Sequence, residues 1–346
     1  MDERIYIYGA ITCPVKGTNQ EGNSGHTKKF GIGKEIYSVP YQDIACVVKN
    51  ISVDSFNSMP KEVLGHHLVE HQTAIEKIMR DYTIIPFKFG TIVEGESEVE
   101  KVLQSGYTEF KEKLQIMDKK IELDVVALWN DLNTVIKKIG EEDDQIKTLK
   151  DEITKRPPEE TFQDRIKIGS MVKDALDEKR GSLQSEMLDF LKEKVVDFQK
   201  HQLMDDKMIL NCAFLLDKDK EKEFDQALNE LNARFNEEIN FKCVGPLPPY
   251  SFSTIELKKV GCAEINEARK LFGLNEEVTI DEIKESYRQL TLKFHPDNNP
   301  DDQNLKKQFE EITRAYKLLS NYCQDEKCSF KEAEGKDFIL IDILKI

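Results

Sequence analysis

Apolar and polar residues alternate from the first positions of this chain, and the period of that alternation switches repeatedly along its length. Arg4 to Ile11 reads as a strand, and Gly17 to Gly25, rich in Gly, Asn, Ser and Thr, reads as a loop. Lys34 to Val39 and Asp43 to Ile51 read as further strands, the second with Ile44, Cys46 and Val48 on alternate positions. Pro60 then opens a helix, because its fixed φ suits a first helical turn. Val63, Leu64, His67, Leu68, Ala74, Ile75 and Ile78 approximate a helical stripe along it. Ile84 to Thr91 is extended, Glu98 to Ile116 helical, and Ile121 to Trp129 a closing strand. Residues 1–130 are thus expected to form an α+β sandwich with helices on one face of an antiparallel sheet.

Strand signals vanish over residues 131–204. The segment is highly charged, with spaced Leu, Ile, Met and Val, and Arg156-Pro157-Pro158 interrupts it. This predicts two long helices joined at a proline corner and paired with each other, with Gly140 and Gly181 as weak points. Residues 205–258 return to α+β. Met208 to Leu216 is nearly continuous in apolar residues and predicts a central strand buried on both sides. Glu221 to Phe235 reads as helix, Ile239 to Val244 as strand, and Gly245-Pro246-Leu247-Pro248-Pro249 as a fixed turn. Residues 259–324 are helical, and 325–346 end in the strand pattern Phe338 to Ile346. An uncovered apolar strand is an aggregation hazard, so it is expected to pair, by preference with the second α+β unit.

Composition narrows the function. Of 346 residues 39% are hydrophobic and 33% charged, and the net charge of −15 argues against a general nucleic-acid binder. No apolar run is long enough to span a bilayer and the start lacks a signal-peptide pattern, so no membrane association and a cytoplasmic location are expected. Seven cysteines are scattered without a C-x-x-C pair and read as buried reduced thiols, although Cys323 and Cys328 are near enough to meet. His66, His67, Glu70 and His71 crowd one helix but lack the metalloenzyme spacing, so packed histidines are expected, with Glu70 bonding the backbone of Pro86 to Gly90. Gly31 and Gly33 lack the context of a phosphate loop. No nucleophile has a neighbouring base. The chain is read as no enzyme, with no cofactor and no metal.

The sharpest motif lies in Ala263 to Tyr322. A helix about Asn266 to Phe272 stops at Gly273, and Thr279 with Glu282 forms a helix-start signal. Ile283, Tyr287, Leu290 and Phe294 share one face of the next helix, while Lys284, Arg288 and Thr291 follow the solvent side. Pro296 ends it. A partner helix, about Asp302 to Asn321, carries Phe309, Ile312, Ala315, Tyr316 and Leu319. Tyr287 to Asp297 together with Phe309 to Tyr316 resembles a J-domain. The resemblance implies docking onto a DnaK-type chaperone and stimulation of its ATPase by His295, Pro296 and Asp297. Asp297 would offer a carboxylate, His295 a hydrogen bond, and Pro296 rigidity that limits the entropy lost on docking. Lys284, Arg288 and Lys293 would steer an acidic surface. Gln289 and Asn298 stand where the family often carries basic residues, and both weaken that face.

A second resemblance covers residues 1 to about 258. Tyr6-Ile7-Tyr8-Gly9, Leu68-Val69-Glu70-His71-Gln72, Ile85 to Thr91, Ile168 to Val172, Asn211 to Leu215 and Gly245 to Phe252 are similar, in order, to the gas vesicle F/L protein family. Lys88 stands where many relatives carry Arg. This resemblance implies the fold class α+β, two ferredoxin-like α+β units with a long helical extension between them, followed here by an all-α J-domain and a terminal strand. It implies an accessory protein located at the gas vesicle that binds the hydrophobic shell protein and other gas vesicle proteins. Unassembled shell subunits with exposed apolar strands aggregate unless shielded. The joint expectation is an assembly cochaperone that delivers this client to a DnaK-type chaperone. The alternative is a minor structural component of the shell with a vestigial J-domain.

Overall fold

The computed structural model describes residues 4–12, 35–53, 55–56, 59–235, 238–295, 303–323, 327–333 and 338–345. Pro296, Asp297, Asn298, Cys13, Gly31, Gly33 and the 17–25 loop lie outside them. Two compact units emerge, one from Met1–Ile116 with Ser253–Leu344, the other from Met117–Phe252 with Lys345–Ile346. Among the described residues no helix is long and apolar enough to cross a membrane.

In the first unit β1 (Arg4–Thr12), β2 (Ile36–Tyr41) and β3 (Ile44–Ile51) are followed by α1 (Lys61–Met79), β4 (Ile84–Pro86), β5 (Ile92–Glu94) and α2 (Glu96–Ile116). The sheet runs β2-β3-β1-β4 with β5 also on β1, all antiparallel. β1 is buried along nearly its whole length, because both of its alternating sets are apolar or aromatic. Ile5 and Ile7 join Val99, Val102, Leu103, Phe110 and Leu114 of α2 in one core. Tyr6 and Tyr8 instead meet His71 of α1. The two helices therefore lie on opposite faces of this sheet, which corrects the one-faced sandwich read from the element order.

The second unit opens with β6 (Lys120–Trp129), which the sequence reading had assigned to the first. It is central to a sheet of order β7-β8-β6-β9, reached after α3 (Leu132–Glu142), α4 (Asp144–Thr154) and α5 (Phe162–Leu191). β7 is Asp197–Lys200, β8 Met208–Asp217, α6 Glu221–Phe235 and β9 Ile239–Leu247. β8 does take the interior, two-sided position that its apolar run predicts. The helical segment differs from the expected pair. Asp143 accepts hydrogen bonds from the Gln145 and Ile146 backbone N–H groups and so starts a new helix, splitting the first half in two. Gly140 and Gly181 lie inside unbroken helices. Val135, Ile139, Ile146, Leu176, Met187, Leu188 and Leu191 share one core with Ile121, Leu123 and Val125 of β6, so these helices cover the sheet instead of standing apart as an extension.

The chain then returns to the first unit with β10 (Thr254–Val260), α7 (Cys262–Leu271), β11 (Glu277–Thr279), α8 (Ile280–Phe294), α9 (Gln303–Tyr322), β12 (Lys327–Ser329) and β13 (Phe338–Leu344). α7 ends as predicted. Gly273 takes φ +63°, its N–H donates to Lys270 O and that of Leu274 to Arg269 O, a left-handed cap that suits glycine. Thr279 and Glu282 form the predicted capping box. Cys323 and Cys328 are joined in a disulfide, a correction to the reading of reduced thiols, whereas Cys46 and Cys212 are buried and free.

β13 pairs along all seven residues with β10, from Thr254↔Leu344 to Val260↔Phe338. β13 thus pairs, as expected, with a strand from the segment 205–258 read as the second α+β unit, but both strands belong to the first unit. Its side chains divide with period two. Ile339, Ile341 and Ile343 pack into the core that holds α2, while Phe338 and Leu340 pack into the core of α7, α8 and α9. Lys317 of α9 reaches Asp342 at 2.6 Å. One strand thus bonds the helical module to the N-terminal core through opposite faces. Each Ile or Leu fully buried there contributes about 1.5–3 kcal/mol.

Candidate functional site

α8 and α9 pack as an antiparallel hairpin. Ile283, Ile312, Ala315, Leu318 and Leu319 are buried between the helices and α7, and the Tyr287 and Tyr316 rings stack at 4.0 Å. At its loop end His295 caps α8 with extended backbone, is exposed, and sets its ring edge-on to Phe309 at 5.5 Å. His295 is thus the described member of the predicted tip.

The three predicted basic residues are exposed but do not all lie on one face of α8. Lys284 and Arg288 are one turn apart and point within about 40° of each other. Lys293 lies about 140° round the helix from Arg288, and its ammonium rests over the Phe294 ring at 5.1 Å. Lys284 pairs with Asp281 at 3.8 Å and Arg288 with Glu285 at 3.1 Å, while Gln289 also donates to Glu285. The basic stripe is therefore partly compensated by its own helix. Leu292, 72% exposed and one turn beyond Arg288, belongs to the same stripe. The sequence reading passed over it because Leu290 and Phe294 satisfy the apolar face without it.

The first unit holds a cleft of about 470 Å³ over its sheet. Tyr6 OH and His71 Nδ1 are 2.8 Å apart, Tyr8 stacks on His71, and Phe56 and Phe89 flank Tyr6. Burial lowers the His71 pKa to about 4 and keeps the ring neutral. Lys49 donates to Glu70 at 2.7 Å and approaches Glu35 at 3.6 Å. Glu70 is thus paired with a lysine of β3, where a backbone contact near Pro86 to Gly90 was expected. His67 packs against Phe56. Among the described residues no group of three or more His, Cys, Asp or Glu could hold a metal ion.

In the second unit Glu122, 1% exposed on β6, accepts from Ser251 N and from Ser251 Oγ, both at 2.8 Å. Ser251 Oγ also lies 3.2 Å from His201 Nε2. Burial pushes the Glu122 pKa up to about 8 against these hydrogen bonds, and nearby Asp124 adds to the rise. Gly245, at φ +149°, brings the chain past β6 so closely that a Cβ would sit 2.5 Å from Leu123 Cδ2 and 2.9 Å from Glu122 O. Only glycine fits there.

Residues 4–254 match the family described as gas vesicle synthesis protein GvpL/GvpF, and residues 270–327 match the DnaJ domain. The chain belongs to the GvpL/GvpF family. Gas vesicle protein F1 of Halobacterium salinarum is 23% identical over 257 residues, covering 74% of this chain and 96% of that protein. The chaperone protein DnaJ of Wolbachia sp. subsp. Brugia malayi is 46% identical over 52 residues, 15% of this chain and 14% of that protein, so the chain spans a small part of this relative. The crystal structure of GvpF from Anabaena sp. PCC7120 aligns with TM-score 0.60 and 21% identity over 72% of this chain and 97% of its own. That of GvpF from Microcystis aeruginosa gives 0.54 and 19% over 72% and 98%. At these identities the likeness is one of fold.

Three of the segments that carry the GvpL/GvpF resemblance meet in the first unit. Tyr6 and Tyr8, Glu70 and His71, and Phe89 come from these three and line the same cleft in the first unit. Gly245 and Ser251, from a fourth, meet β6 of the second unit through Glu122. Sequence reasoning named the segments but missed Glu122, Lys49 and Glu35, whose only sequence signal is a charge inside or beside a strand.

Proposed function

We propose that this chain is a gas vesicle assembly cochaperone, whose α+β units bind the hydrophobic shell protein and whose J-domain recruits and stimulates a DnaK-type chaperone. The observation that carries the reading is β13. It packs against the N-terminal core with one face and the helical module with the other, so a client held by the first unit stays at fixed range from the docking hairpin. Tethering of this kind raises the local concentration of one partner at the other. In the cytoplasm, at the growing vesicle, His295, Pro296 and Asp297 make the tip contact, and Lys284, Arg288 and Lys293 assist the encounter by charge. Lys284 and Arg288 act as a pair with Leu292 beside them, and Lys293 approaches from another side. The ferredoxin-like reading is kept for the second unit, supported by an antiparallel sheet whose helices share one core with one face of β6.

The test is ATP hydrolysis by a purified DnaK-type chaperone with the full-length chain and with Asp297→Asn. Stimulation by the unaltered chain that disappears in the variant is expected; equal hydrolysis in both would overturn the reading and favour a structural role in the shell. Vesicle formation in cells carrying Asp297→Asn gives the physiological arm. Removing residues 259–346 is a poor substitute, since it also strips β13 from the N-terminal core.

A further inference from the structure

The cleft of the first unit has a floor, a wall and a rim of different chemistry. Its floor is Tyr8, 2% exposed, whose hydroxyl borders the cleft and makes no hydrogen bond with the described residues. Phe56 and Phe89, packed on each other with ring centres 5.1 Å apart, form an aromatic wall. The rim carries two carboxylates, Glu35 and Glu70, against a single ammonium, Lys49.

We propose that this cleft recognises a guanidinium group, an arginine side chain presented by a protein partner. The carboxylates retain acceptor capacity. Glu70 uses Oε1 for Lys49, while its Oε2 has only His67 Nδ1 at 3.7 Å, and Glu35 is 69% exposed in its side chain. A carboxylate offers about four lone-pair sites, so each can take further N–H donors. Among the described lining residues two carboxylates face one ammonium, a net negative charge. Burial first, and then the charges of Glu70 and Glu35, raise the Tyr8 phenol above its ordinary value, and neutral His71 adds no opposing charge. Aromatic walls attract a cation through the ring quadrupole, and a guanidinium is flat, weakly hydrated and rich in donors. It can lie against the face of the paired phenyl rings, donate to Tyr8 and reach a carboxylate together. An anion would meet Glu35 and Glu70, and an apolar group would leave the buried Tyr8 hydroxyl without a partner. Ile51 and Val53 add apolar surface to the lining, which suits an arginine flanked by apolar residues.

The probe is the labelled peptide acetyl-Leu-Arg-Leu-amide, with lysine and citrulline counterparts, titrated into the full-length chain by fluorescence polarisation. Ring-labelled tyrosines report the place by NMR. The arginine peptide is expected to bind at least about tenfold more tightly than the citrulline peptide and to shift the Tyr8 resonance saturably. Glu70→Gln is expected to weaken it about tenfold, and Tyr8→Phe, which keeps the ring packing and an unchanged melting temperature, several-fold. Equal binding of arginine and citrulline peptides, binding untouched by both substitutions, or shifts confined to tyrosines outside the cleft would overturn the proposal. A lysine peptide that bound as well would overturn the guanidinium assignment. The assay contains neither shell protein nor chaperone, so its outcome is independent of the cochaperone reading.

Discussion

The two units solve the same problem, anchoring a side chain to the buried face of a sheet, with opposite electrostatics. The first uses a neutral pair, Tyr6 and His71, whose hydrogen bond needs no buried charge. The second uses Glu122, which grips the backbone and hydroxyl of Ser251 from a position 1% exposed. Desolvation acts on both but in opposite senses: it lowers the imidazole pKa and raises the carboxyl pKa, because each group is driven towards its neutral form. A neutral anchor of this kind is vulnerable to acid and an acidic one to base.

The largest effect should come from Glu122→Ala, which leaves the buried Ser251 N–H unpaired and the Ser251 hydroxyl with only His201, and costs about 2–3 kcal/mol near pH 6. Trp129 is the single tryptophan and lies 3% exposed in the second unit, so its fluorescence in denaturant reports that unit. The cost should shrink above pH 8, where the ionised carboxylate is itself unfavourable. A loss independent of pH would break the comparison.

The pH profiles should then diverge. Folded Glu122 holds its proton up to about pH 8 against 4.5 unfolded, so the second unit loses stability as pH rises through that window. Folded His71 releases its proton down to about pH 4 against 6.5 unfolded, so the first unit is fully stabilised above 6.5 and weakens as pH falls. Each pKa unit corresponds to about 1.4 kcal/mol. Hydrogen exchange of β1 and β8 amides across pH 4 to 9 separates the two, and Glu122→Gln should flatten only the second profile. Parallel profiles would contradict the assignment. A smaller change, about 1 kcal/mol, is expected for Tyr6→Phe, seen as faster exchange in β1 and unchanged Trp129 fluorescence. Smallest is Ser251→Ala, below about 1 kcal/mol, because the Ser251 N–H still reaches Glu122; a cost equal to Glu122→Ala would show that the hydroxyl alone carries the anchor.

Local signals in the sequence were read correctly where local physics decides the outcome. Gly273 stops α7 and Thr279 starts α8 through bonds within a few residues, and the apolar run of β8 marks an interior strand. Asp143 shows the limit of this: it caps a helix, but within Glu141 to Asp144 it reads as one more solvated acid. Of the predicted docking residues, helical spacing placed Lys284 and Arg288 together, whereas Lys293 shares only the neighbourhood of the tip.

The chain's own pattern determined which segments are strands and helices, where several begin and end, and which two families they resemble, since these follow from periods and caps spanning a few residues. Only the tertiary structure decided that β6 pairs with β8 and β9, that β13 seals two cores, and that distant segments meet around Tyr8 and Ser251. A strand's edge groups bond equally well to any strand of suitable register. The choice among such partners rests on which faces can be buried together, a property of the assembled chain.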